Sequence, residues 1–213
     1  MKFQELLSLI GNEPLFTTDV LLAGDVSPDA VRLQLSRWVR GGKLIQLRRG
    51  LYALAPPYQR TPPHPFLIAN YLLRPSYVSL QSALAHYGLI PEFTPVTTSV
   101  TTGRPQRWQT RLGRFEFRHV KNAFWFGFEL TPLGQEQSAF VATPEKALLD
   151  LIHLHPGGDT LAYLQELRLQ NLDTLDWERL AAYVQRMASP KLHRALRNLE
   201  RLGQTEQELY EPL

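Results

Sequence analysis

Six basic residues and no acidic one fall between Arg32 and Arg49. Arginine's planar guanidinium matches the paired acceptors of a phosphate or a guanine edge, so such a run is a candidate surface for an anion or a nucleic acid. Its spacing divides it in two. On a helical wheel Val31, Leu35 and Trp38 form one stripe, edged by Gln34 and Val39, which is a face to be buried. Arg32, Leu33, Ser36, Arg37 and Arg40 collect on the other side. That set suits the major groove of duplex DNA: arginine reaches guanine edges or phosphates, serine reaches either, and Leu33 meets a thymine methyl. Lys43, Arg48 and Arg49 follow around a predicted hairpin, where they would cover neighbouring phosphates or the minor groove. The plain alternative is a solvated basic surface on a small helical unit.

A second basic stretch, Arg104, Arg107, Arg111, Arg114 and Arg118 with Trp108 among them, would extend a DNA footprint or accept an acidic partner. It reads equally as a solvated loop leading into a strand. Other chemistry is thinly represented. The chain has no cysteine, which excludes disulfides, thiolate zinc sites and cysteine nucleophiles. His153 and His155 would point about 200° apart on a helix and cannot clamp one ion there, so no metal is expected. "TTGRP" (Thr101 to Pro105) lacks the Gly-Lys-Ser/Thr pattern of a phosphate loop. Glu145 and Asp150 are five residues apart, poor same-face spacing for paired carboxylates, and Glu145 reads as a first-turn acid favouring the helix dipole. A metal-dependent nuclease would need carboxylates and a lysine on adjoining strands, and only Glu116 and Glu129 are on offer. Neither a catalytic residue nor a cofactor is expected, and the chain does not read as an enzyme.

The elements that must position the arginines follow from local signals. "FQELLSLIG" has Phe3, Leu6, Leu7 and Ile10 at helical spacing, with Gly11 to stop it. "TTDVLLAGD" predicts a short second helix from Thr17 or Thr18 to about Gly24. In "SPDAVRLQLSRWVRGG", Ser27 is the N-cap, Pro28 the first residue, Asp29 a first-turn acid and Gly41-Gly42 the stop. Two strands, about 43–47 and 51–55, join through Arg48-Arg49-Gly50. Helix, helix, helix, hairpin is the order of a winged helix-turn-helix.

"APPYQRTPPHPF" then holds five of the sixteen prolines and predicts an extended boundary. The expected organisation is a winged helix-turn-helix domain over 1–55, a proline-rich linker over 56–66 and a larger domain over 67–213. That larger domain reads as α+β, with a central antiparallel-rich sheet and C-terminal helices. Its predicted helices lie in "HPFLIANYLL", "SLQSALAHYGLI", "TPEKALLDLIHL", "TLAYLQELRLQ", "DWERLAAYVQRM" and "SPKLHRALRNLERLG". Its predicted strands lie in "PVTTSVTT", "RFEFRHV", "FWFGFEL" and "SAFVAT".

Charge is uneven along the chain. Residues 1–55 carry seven Lys/Arg against five Asp/Glu, residues 56–120 seven against two, and residues 121–213 nine against thirteen. A basic front suits an anionic partner. The opening lacks the basic, apolar, small-residue order of a signal peptide, and no apolar run nears the roughly 20 residues of a membrane span. The expected location is therefore the cytoplasm, with no membrane partner.

The succession of the winged-helix signals, "SYVSLQSALAHYGLIPE", "VTTSVTTGRP", "FEFRHVKNAFWFG" and "VATPEKALLDLIHL" resembles the AbiEi antitoxins of type IV toxin–antitoxin systems. The resemblance spans roughly residues 15–155. It is most specific at Ser79 to Gly88, Thr102 to Pro105 and Ala142 to Asp150. It implies a DNA-binding repressor that autoregulates its operon through inverted repeats in the promoter, and whose larger domain counteracts a co-encoded nucleotidyltransferase-like toxin. Onto this sequence it carries the basic residues Arg32, Arg37, Arg40, Arg48 and Arg49 as DNA contacts. A stand-alone transcriptional regulator with a ligand-sensing or assembly domain is the alternative expectation, and a DNA-directed nuclease a third.

Overall fold

The structure, a computed structural model, describes residues 2–22, 27–91 and 95–210, with side chains as far as Gly203. It is a mixed α+β chain with two sheets.

The first helix, α1 (Phe3–Ile10), ends at Gly11, whose φ of 60° is the left-handed turn that glycine takes without penalty. Over the described part of the second predicted helix only a 3-10 turn forms. Phe16–Thr17 instead makes a short strand, β1, and Thr18–Leu21 a single 3-10 turn, while Gly24 lies outside the described residues. The start of that predicted helix is held extended by the sheet: Thr17 pairs with Leu51 beside the Phe16–Tyr52 pair, whose rings stack at 5.7 Å, and Thr18 N–H donates to the Gly50 carbonyl at 3.0 Å. α2 (Pro28–Arg40) starts as its sequence predicts, with the Ser27 hydroxyl accepting from Ala30 N–H. Strands β2 (Leu44–Arg48) and β3 (Leu51–Leu54) form the hairpin, and β1 pairs with the far side of β3, giving the order β1-β3-β2. Gly50, at φ 82°, closes the tight connection that a side chain would strain.

β3 is buried along its whole length. Leu44, Tyr52 and Leu54 join Leu6, Ile10, Val31, Leu35 and Trp38 in a small core. Ile45, Leu47, Leu51 and Ala53 join the core of the larger part. The hairpin is thus a wall between two hydrophobic clusters. The proline-rich stretch after it is held at its end by one side chain: Gln137 accepts from His64 N–H at 2.7 Å and donates to the Pro62 carbonyl at 2.9 Å.

The larger part contains α3 (Pro65–Leu72), β4 (Tyr77–Val78), α4 (Leu80–His86), β5 (Val96–Thr101), β6 (Gln106–Thr110), β7 (Gly113–His119), β8 (Phe128–Gly134) and β9 (Gln137–Ala142). Four helices follow: α5 (Pro144–Leu154), α6 (Leu161–Glu166), α7 (Trp177–Met187) and α8 (Pro190–Tyr210). The six strands lie in the order β6-β7-β5-β4-β9-β8. The β6/β7, β4/β5 and β8/β9 pairs are antiparallel, while β5/β7 and β4/β9 are parallel. β7 alternates as "RFEFRHV" predicts, with Phe115 and Phe117 inside and Arg114 and Arg118 outside. The apolar run "FWFGFEL" is not one strand: Phe124 closes a 3-10 turn, and β8 begins only at Phe128. Gly127 marks the break, with φ at 71°, where a methyl would come within 3.0 Å of both Lys146 and Tyr183.

α5 is enclosed by α4, α7, α8 and β9, so Glu145 through Ile152 are all buried. Its two central charges, Lys146 and Asp150, are satisfied by each other and by groups outside the helix. Lys146 Nζ meets the Asp150 carboxylate one turn on and donates to Tyr77 Oη at 2.9 Å. Tyr77 and Ser79 hydroxyls each donate to Asp150 Oδ2 at 2.9 Å. Lys146 and Asp150 side chains have no exposed area. Burial acts to lower the Lys146 pKa, and the Asp150 charge opposes it. Tyr77 is pushed well above its ordinary value by burial and by Asp150. Glu145, expected as a dipole-favouring acid, also accepts from Asp176 N–H at 3.0 Å and so ties α5 to the start of α7.

His153, near the end of α5, packs edge-on to Phe124 at 4.9 Å. Burial, with Lys191 adding repulsion, holds its imidazole below the usual 6.5. The unfolded chain therefore takes up a proton that the folded chain resists, so stability is lost as pH falls through about 6.5. Thermal melts at pH 7.5 and 5.5 are expected to show a drop that His153→Gln reduces. His64 and His86, lowered chiefly by burial, leave a remainder.

Candidate nucleic-acid interface

α2 is positioned by its inner stripe. Val31, Leu35 and Trp38 are buried, Gln34 and Val39 sit at the edge, and Trp38 takes Phe3 edge-on at 5.3 Å. Rotation about the helix axis is fixed by these contacts. The face left outside carries Arg32, Leu33, Ser36, Arg37 and Arg40, all exposed, with Leu33 at 50%. A leucine left half in water at the centre of a polar helix face needs an apolar partner or simply tolerates solvent; a thymine methyl is one such partner. Arg32 is engaged at 3.0 Å with Asp29 in the first turn, an exposed pair that solvent screens and that a phosphate could replace. Arg37 and Arg40 stand free of any such pairing among the described residues, in the last turn.

The hairpin residues divide differently. Arg49 is exposed at the tip. Lys43 lies with its ammonium 4.7 Å from the Phe3 ring, which ties the start of β2 to α1 and leaves the charge near the surface. Arg48 is half-buried and turned away from the tip. Its guanidinium donates to the Tyr71 carbonyl through Nη2 at 3.1 Å and Nε at 3.4 Å, and to the Arg49 carbonyl at 3.1 Å. Tyr71 lies in the last turn of α3, where carbonyls lack intrahelical donors, so Arg48 caps that helix from across the molecule. Sequence spacing grouped Arg48 with Arg49; the fold separates them.

The second basic stretch is a β-hairpin rather than a loop. β6 is an edge strand in which Trp108 turns inward, while Arg107 and Gln109 face out. Arg104, Arg111, Arg114 and Arg118 are exposed on or beside it. Glu116 lies between Arg107 at 3.5 Å and Arg118 at 3.4 Å, which offsets part of the positive charge. These arginines share one hairpin surface, less free for an anion than their count implies.

The Tyr77–Ser79–Lys146–Asp150 network escaped the sequence reading. Its visible signal was a lysine and an aspartate four residues apart on an otherwise apolar helix, the spacing of a same-face pair. With no exposed area at its ions, it can staple α5 to β4 but cannot reach a substrate. Among the described residues no three His, Asp or Glu side chains gather to hold a metal, and no helix is long and apolar enough to cross a membrane. No profile of a known protein family matches the sequence, and no curated protein matches it.

Proposed function

We propose that this protein is a sequence-specific, DNA-binding transcriptional repressor whose first 55 residues act as a winged helix-turn-helix. The observation that carries the reading is the two-sided α2: an apolar stripe packed inward, and Leu33, Ser36, Arg37 and Arg40 held outward. The order α1, 3-10 turn, α2, β2–β3 supports it, with β1 paired on β3 as a third strand. In this reading α2 enters the major groove, Arg37 and Arg40 meet bases or phosphates, and Arg49 and Lys43 rest on the backbone beside it. Arg48 serves the wing by fixing it to α3 rather than by touching DNA.

The sequence resemblance to AbiEi antitoxins extends the proposal: autoregulation through promoter inverted repeats, and antitoxin action of the larger part against a co-encoded nucleotidyltransferase-like toxin, in the cytoplasm. A stand-alone regulator that senses a ligand is the second reading, favoured by a large cleft beside β8 and β9. A toxin gene in the same operon separates the two.

Fluorescence anisotropy of the protein against its own upstream DNA and a scrambled duplex, at two salt concentrations, tests the core of the proposal. The expected result is tight, sequence-selective binding that weakens steeply with salt. Equal, weak binding to both duplexes would overturn it.

A further inference from the structure

A cleft of about 820 Å³ lies between the segment that follows α1 and the α3, β8 and β9 side of the larger part. Its size is that of a small-molecule site. Its walls are unusually aromatic. Trp125 and Phe128 meet edge-to-face at 5.0 Å, Phe140 stands edge-on to Phe128 at 6.0 Å, and Tyr71 lines the opposite part. Leu130 and Phe140 are cross-strand partners on β8 and β9, and they remain 59% and 46% exposed. These rings are held in place. Tyr77 stacks on Phe128 at 4.5 Å and tilts against Trp125 at 5.0 Å, and Tyr77 is itself fixed by Lys146 and Asp150.

The polar groups of the cleft determine which ligand fits. The Asn70 amide is spent on both backbone groups of Phe140, the Gln137 amide on His64 and Pro62, and the Ser76 hydroxyl on the Leu73 carbonyl. Both amide oxygens and the serine hydroxyl are thus used, and each amide keeps one N–H. Among the described residues the one cation in the lining, Arg74, lies over the Tyr71 ring at 4.4 Å. Two exposed carboxylates, Glu13 and Glu136, line the cleft with nothing of opposite charge beyond Arg74 among its residues. Aromatic faces carry negative potential and attract cations, most strongly in groups. Pairing by a strand from a partner is disfavoured at this edge, because Pro132 removes a donor from β8 and a bulge follows it.

We infer that this cleft binds an organic cation with a bulky apolar body, its charge facing the aromatic rings and Glu13 and Glu136. The site stands whether or not α2 binds DNA.

Calorimetric titration of the full chain with tetraphenylphosphonium and with tetraphenylborate tests it, since the two ions match in size and shape and differ in the sign of charge. The expected result is one phosphonium per chain, bound about tenfold tighter than the borate. Glu13→Gln with Glu136→Gln should bring the two ions within about threefold of each other, while Leu130→Ala with Phe140→Ala should weaken phosphonium binding about tenfold. All four positions are exposed, and unchanged melting temperatures would show that the variants fold. Equal or tighter binding of the borate would overturn the charge assignment. Phosphonium binding that ignores Leu130→Ala with Phe140→Ala, or no binding of either ion, would overturn the site.

Discussion

Asp150→Ala is expected to destabilise the protein by about 3–5 kcal/mol, the cost of removing one partner from a fully buried ion pair. Lys146 would keep Tyr77 as a neighbour but lose its counter-charge, and the hydroxyls of Tyr77 and Ser79 would both lose their acceptor. Against a total stability of roughly 5–15 kcal/mol, such a loss removes much of the margin. Urea denaturation followed by tryptophan fluorescence measures it, as a lower midpoint at unchanged slope. The cause is separable from generic core damage. Lys146→Met together with Asp150→Leu takes both charges away and is expected to recover part of the loss, because the desolvation cost of both ions disappears while the Tyr77 and Ser79 hydroxyls still lack their acceptor. A single-variant loss below about 1 kcal/mol would mean that water reaches the pair after all.

The second large effect is a contrast between neighbours at the hairpin tip. Arg49→Ala is expected to flatten the dependence of DNA affinity on salt by about one unit of slope, one phosphate contact's worth, with the melting temperature unchanged. Arg48→Ala is expected to do the reverse. It removes a charged donor from a helix-end carbonyl, a loss of about 1.5–3 kcal/mol in stability, and leaves the salt slope nearly as it was. From sequence alone both arginines would count as phosphate contacts and the double variant would lose about two units; with Arg48 committed to Tyr71 the expected loss is about one. Equal slope changes for the two single variants would show that Arg48 swings free when DNA binds.

That contrast also shows where sequence reasoning stops. α2 and α5 were legible because their caps and periodicity are local: Ser27-Pro28 and Thr143-Pro144 each set a start, and each side chain accepts the expected N–H. The outward set on α2 followed from the wheel. The partner of Arg48 did not, since Tyr71 lies 23 residues away and presents only a carbonyl. The buried network failed to show for the same reason: Tyr77 is 69 residues from Lys146. β6 was missed because its outward residues, Arg107 and Gln109, and the inward Gln106 and Thr110 are all polar, so Trp108 alone carried the alternation. The extended start of the second predicted helix reflects tertiary pairing of Thr17 with Leu51, which no window of local propensity contains.

A strand with no solvent side has a consequence for how this protein can change over generations. Substitutions at Leu51 or Ala53 must be absorbed by the larger cluster, and those at Tyr52 or Leu54 by the smaller one, so β3 is answerable to both halves of the chain. If the front 55 residues bind DNA as proposed, exchanging them for a foreign DNA-binding unit would remove a wall from the remaining part, so new target preferences would not readily arrive by shuffling. On the same proposal they would have an easier route: drift at Leu33, Ser36, Arg37 and Arg40, which neither cluster includes and which can vary without renegotiating the interior.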